Sequence, residues 1–145
     1  MCIRDRQHTE QQEATLLRLE TALALVEGWV DEVTATAALP HLPHAVPLRE
    51  MLRRRRAAGG PAEQTFSTLV GLELRPRRSR DAAALFAHVQ RAGGSEARDA
   101  VWDHPDLLPG NTDLDDPAGY LARREAQAGE HADVDAALRE ILGEE

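Results

Sequence analysis

Glu27 and Asp31 stand one helical turn apart in the stretch LALVEGWVDEV, residues 23–33, and Glu20 stands two turns before Glu27. On a helix, such steps of seven and four place the three carboxylates roughly on one side. A rise of about 1.5 Å per residue separates Glu27 from Asp31 by about 6 Å along the axis. The acids adjoin Leu23, Val26 and Val30, so they sit beside apolar surface. A carboxylate buried there must be paired, protonated or metal-bound, because an uncompensated buried charge is very costly. Spacing alone leaves two chemistries open. The acids are a solvated edge or internal partners of Arg18, Arg53 or Arg75, or they are oxygen donors to a metal ion.

The histidines do not complete a metal site. His8 and Glu10 in HTEQQ have the wrong spacing for His-Glu-x-x-His and lack its second histidine. His41 and His44 are three apart, with Pro43 between them, and His88, His104 and His131 are scattered. All six read as surface or turn residues. Cys2 is the only cysteine, so there is no disulfide framework.

The elements that must position the acids are helices. Leu16, Leu19, Leu23, Val26, Val30 and Val33 recur at steps of three and four, which predicts one long helix over 10–38 with that stripe facing the core. Leu17, Ala24 and Trp29 form a second stripe. Gly28 costs about 1 kcal/mol of helix propensity relative to Ala, which suggests close approach of another backbone or a cofactor. LPHLPHAVP, residues 39–47, ends the helix with three prolines.

A second helix is expected over 46–58, with Pro47 in its first turn and Leu48, Met51 and Leu52 inward. A third follows over 61–71 with Phe66, Leu69 and Val70 inward. Residues 72–78 read as an irregular or helical connection. A fourth helix spans 79–92, capped by Ser79, with Leu85, Phe86 and Val89 as its face. Gly93-Gly94 breaks the chain, and Ser95 opens a short helix through Trp102. Residues 104–117 are turn-rich, Pro117 opens a short helix through Leu121, and a weak, frayed terminal helix ends the chain. The fold class is therefore all-α, a helical bundle or half of one.

The chain has 145 residues, enough for one domain with a real core. Aromatics make up only 3%, so that core is built mainly from Leu, Val and Ala. All 17 basic residues are arginine, and the net charge of −8 is unevenly placed. Residues 49–80 hold nine arginines against three glutamates, a balance of +6. Residues 81–145 hold five arginines against fifteen acids, a balance of −10. The basic block reads as pairing with the acidic tail or facing solvent. Nucleic-acid binding is not expected, since no zinc-finger spacing, Gly-rich phosphate loop or aromatic–basic interleaving accompanies the charge. No apolar run reaches membrane-spanning length and no signal-peptide core is present, which makes the cytoplasm the default compartment.

Three segments resemble one known family: LALVEGWVDEV, then LREMLRRRRAAGGPAEQTFSTLVGLELRPRR, then AVWDHPDLLP. Together they look like the C-terminal part of an actinobacterial family of zinc-dependent metallohydrolases, often labelled zincin-like metalloproteases or coenzyme F420 biosynthesis-associated proteins. The likeness runs over roughly residues 10–120. It implies an all-α C-terminal portion of a zincin-like metallohydrolase, with a long first helix and several shorter ones.

In that family an upstream helix carries His-Glu-x-x-His, whose two histidines bind zinc and whose glutamate polarises water. A glutamate in an "EG" context supplies the third ligand, and Glu27 matches it. An acid four residues on, here Asp31, orients a ligand histidine. Gly28 would let two metal-site helices approach closely, and Arg75 is a candidate for stabilising developing negative charge. The resemblance thus implies Zn2+ in the intact parent and a peptide-like substrate.

His-Glu-x-x-His is absent from this chain. The expectation is therefore an inactive fragment that does not hold zinc tightly, exposes apolar surface and self-associates. Its partner would be the missing N-terminal portion of the same protein. The alternative is a noncatalytic helical module that serves structure or protein interaction. The opening MCIRDR resembles a translated sequencing adapter. The chain then divides into an artefactual or disordered start over 1–9, a helical zincin-like region over 10–122 and an acidic, partly helical tail over 123–145.

Overall fold

The computed structural model describes residues 9–71 and 76–143, apart from the side chains of Glu63, Phe66, Val70 and Pro76. Six α-helices run in order: α1 (Glu10–Ala38), α2 (Ala45–Ala58), α3 (Pro61–Val70), α4 (Pro76–Asp99), α5 (Asn111–Asp115) and α6 (Tyr120–Leu142). Three short 3-10 turns, Ala100–Trp102, Pro105–Leu107 and Pro117–Gly119, carry the chain from α4 to α6. Among the described residues there is no strand, and the fold is all-α with a long first helix.

α1 starts where the chemistry allows. The Thr9 hydroxyl accepts the Gln12 N–H, and the Gln12 side chain accepts the Thr9 N–H in return, a reciprocal capping box. Pro61 occupies the first position of α3, where its missing N–H costs nothing. α4 differs from its expected bounds at its start. It begins at Pro76, so Ser79 lies inside the helix and does not cap it. At its other end the expected break is present: Gly94 is not helical, its φ of 77° lying in the left-handed region that glycine tolerates, and a second helical stretch runs on from it to Asp99. The terminal helix is the distal part of the long α6.

The core lies between α1 and α4. Ala24 and Leu25 pack with Ala82, Leu85, Phe86 and Val89, and Val101, Leu114 and Tyr120 close the far side. Trp102 stacks on Phe86 with centroids 5.9 Å apart and meets Trp29 edge-on at 6.3 Å. The expected face of the fourth helix is therefore the observed one.

The expected face of α1 is not. Its buried residues are Thr21, Ala24, Leu25, Gly28 and Ala35, whereas Leu19, Val26 and Val30 are exposed. Leu16, Leu23 and Val33 of the expected stripe are half-buried, and the side packed closest on α4 carries the small residues Ala24 and Gly28. Gly28 supplies the reason. A Cβ built there would lie 2.5 Å from the Ala82 Cβ and 2.6 Å from the Ala83 backbone nitrogen. Small residues at 24, 28 and 82 let the two helix backbones approach, and that approach brings Phe86 and Leu85 into a dry core. Leu48, Met51 and Leu52 on α2 and Leu69 on α3, expected inward, are likewise exposed. Phe66 and Val70 were expected inward too, and their side chains lie outside the described residues.

Gly28→Ala tests this contact. Overpacking costs about 1–3 kcal/mol and should outweigh a helix-propensity gain of about 1 kcal/mol, so its urea midpoint should fall. At Gly129, where a Cβ meets nothing within 4 Å, the same substitution should raise the midpoint, by roughly 0.5–1 kcal/mol of stability. Equal shifts at the two sites would show that the α1–α4 contact yields freely.

Candidate functional site

Glu27 and Asp31 lie on the edge of α1 beside its buried stripe, and both are partly buried. They take different partners. The Ser79 hydroxyl of α4 donates to Glu27 Oε2. Starting α4 at Pro76 places Ser79 one turn into the helix, three residues before Ala82, which faces Gly28. The same close approach that buries Gly28 therefore brings α4's hydroxyl to the neighbouring carboxylate.

Asp31 is held by α2. Arg49 donates through Nε and Nη2 to Asp31 Oδ2 at 3.0 and 2.8 Å, and Arg53 donates to the same oxygen at 3.1 and 2.6 Å. The Arg49 Nη2 also reaches Glu32 Oε2 at 3.1 Å. The side chain of Asp31 is only 12% exposed, against 27% and 29% for the two arginines. Burial pushes the Asp31 carboxyl upward. The hydrogen bonds and charges of Arg49 and Arg53 together outweigh that, and hold it below the usual carboxylate range. For Arg49, burial pulls downward, and Asp31 and Glu32 raise it above the usual range regardless.

Arg49 and Arg53 are four residues apart on α2, so both forks address one carboxylate. Arg53 was among the partners foreseen from sequence, and Arg49 was not. Their spacing on an Arg-rich helix was visible, but which acid they would meet depended on how the chain turns over residues 39–44. Of the other two candidates, Arg18 lies on α1 itself and Arg75 lies outside the described residues. The Trp29 indole donates to Asp99 Oδ1 at 2.9 Å, and Arg98 grips both oxygens of Asp99 while donating to Gln90. These contacts tie α1 to the end of α4 and had no sequence signal beyond residue type.

His104 accepts the Asp106 N–H at 3.2 Å, as a turn residue does. Among the described residues no group of three histidine, cysteine, aspartate or glutamate side chains is gathered as a metal would need. A tetrahedral catalytic zinc takes three protein ligands and an open position, so the residues present do not fit zinc unaided. They offer one oriented carboxylate, Glu27, with a second acid clamped a turn away.

The family model for zincin-like metallopeptidases matches residues 3–121, most of the chain, and the chain belongs to that family. Neither the comparison with curated proteins nor that with solved structures yields a match. No helix among the described residues is long and apolar enough to cross a membrane.

The arginine clamp makes a pH prediction. A carboxyl whose folded pKa is depressed adds stability that is fully present above its ordinary range and is lost as pH falls through the folded value. Asp31→Asn should therefore cost about 1–3 kcal/mol near neutral pH. The gap to the parent should close on acidification below about pH 4. Chemical denaturation at a series of pH values measures it, and a gap that persists in acid would mean that Asp31 acts through shape alone.

Proposed function

We propose that this chain is the C-terminal helical portion of a zinc-dependent metallopeptidase. In this reading Glu27 is the third zinc ligand, and Asp31 is the acid that orients a ligand histidine. The observation that carries it is the Glu27–Asp31 pair on α1, inside the region matched by the zincin-like metallopeptidase family. The narrower kinship, with the actinobacterial proteins associated with coenzyme F420 biosynthesis, rests on shared words such as GGPAEQTF and HPDLLP. A peptide-like substrate and a cytoplasmic setting belong to the same proposal.

The side-chain geometry is compatible with these roles. Ser79 donates to Oε2 of Glu27, and no described residue donates to Oε1. Both arginines converge on Oδ2 of Asp31, and no described residue donates to Oδ1. Each acid thus has one oxygen restrained and one left to accept a further partner. The histidines would come from polypeptide outside these 145 residues, because His-Glu-x-x-His does not occur within them. Taken alone, this chain should not hydrolyse peptides.

A second reading is a noncatalytic helical module. The double arginine clamp favours it, since Asp31 then serves simply to join α1 to α2. Zinc binding separates the two readings. Titration calorimetry on the 145-residue chain should show no tight site that depends on Glu27. In a family polypeptide that also carries His-Glu-x-x-His, the variant equivalent to Glu27→Ala should lose its zinc by elemental analysis. Asp31→Asn should keep it, with affinity reduced about 10–100-fold. Full zinc retention in the Glu27→Ala variant would leave the noncatalytic reading standing.

A further inference from the structure

The distal part of α6 lies beyond the region matched by the family model, which ends at residue 121. Every described residue from 125 to 143 is exposed. A lone helix of this length gains little stability from its own hydrogen bonds. This one also leaves apolar side chains in water: Val134, Leu138 and Ile141, spaced four and three apart on one stripe, are all exposed, Ile141 by 80%. Leu48, Met51 and Leu52 form a similar exposed stripe on α2. The α2 stripe, four steps from Leu48 to Leu52 or about 6 Å of helix, fits within the α6 stripe, seven steps from Val134 to Ile141 or about 10 Å.

Their charges match as well. α2 carries five arginines and Glu50. Asp31 and Glu32 occupy Arg49 and Arg53, and Glu50 occupies Arg54, but Arg55 and Arg56 form no ion pair with a described residue. From Glu125 to Glu145 the chain holds seven acids and a single arginine, Arg139. The order of charges along the two helices is the same. On α2 the acid Glu50 precedes Arg54–Arg56, and on α6 the acids Glu130 and Asp133 precede Arg139. An antiparallel pairing sets Arg55 and Arg56 against Glu130 and Asp133, and Glu50 against Arg139. A parallel pairing sets like charge against like.

Both stripes are exposed in the folded chain, so these complementary surfaces do not meet within one molecule. We propose that the distal half of α6 packs antiparallel on α2 of a second copy, and that the exchange is reciprocal, giving a two-fold dimer. Each contact joins an acidic amphipathic helix to a basic one. The dimer stands independently of the zinc reading, because neither stripe includes Glu27 or Asp31.

Sedimentation equilibrium of the 145-residue chain, at low and high salt, tests this directly. The chain should form a reversible dimer that weakens with salt. R55E/R56E and E130R/D133R should each weaken it about tenfold or more, and combining the four changes should restore it. L138N should also disfavour the dimer, with far-UV circular dichroism confirming that helix content is kept. A monomer at all concentrations overturns the proposal, and so does a dimer indifferent to both charge reversals. If the chain stays monomeric but is retained on DNA, with retention lost in R55E/R56E, the basic helix serves nucleic acid and the proposal fails.

Discussion

The close approach of α1 and α4 at Gly28 is the constraint from which the rest of the architecture follows. With no side chain at 28 and only a methyl at 82, the two backbones come near enough that a Cβ at residue 28 would lie 2.6 Å from Ala83's nitrogen. That approach decides which side of α1 is inside. It draws Ala24 and Leu25 against Leu85, Phe86 and Val89, and leaves Leu19, Val26 and Val30 exposed. It also sets the phase of α4, so that Ser79 arrives at Glu27 and Trp29 reaches Asp99. A larger residue at 28 would move all of these together, because a packed interior transmits such a displacement.

A second layer of organisation is electrostatic. The basic block is divided: Arg78 pairs with Asp81 and Asp115 of the acidic portion, and Arg54, Arg55 and Arg56 are exposed. Its first arginines are spent on Asp31 and Glu32 of α1, which fastens α2 across the turn at 39–44. Other pairs are local to the C-terminal half: Arg78 with Asp115, and Arg123 with Asp113 and Asp116. The pairs at Asp31 are the least exposed and the least screened by salt, so they count for more than the outer ones. What remains is a surplus of positive charge at the end of α2 and of negative charge along α6, on opposite-sign helices that both carry exposed apolar side chains. Solubility of a chain with charge so divided depends on how those surfaces are covered.

The acids on α1 illustrate how one helix edge can serve two ends. Glu27 is restrained by a single neutral hydroxyl, which orients a carboxylate without neutralising its charge. Asp31 is restrained by two guanidinium groups, which do both. A metal ligand needs the first kind of support, and a helix-to-helix tie needs the second. The membership of the chain in the zincin-like metallopeptidase family gives that difference its interest.

Local chemistry in the sequence determined a great deal. The bounds of α1, the proline starts, the face of α4 and the all-α class follow from periodicity, capping residues and breakers, which act within a few residues and need no partner. Glu27, Asp31 and Gly28 stood out for the same reason. Tertiary structure alone decided which stripe of α1 is buried, since periodicity marks two apolar faces about 100° apart but does not say which one a small-residue contact will claim. It alone chose Arg49 and Arg53 for Asp31 and Ser79 for Glu27, because those pairings span loops whose geometry is set by packing. It also left α2's leucines and methionine in solvent, since burying them requires a surface that α1 and α4 do not offer.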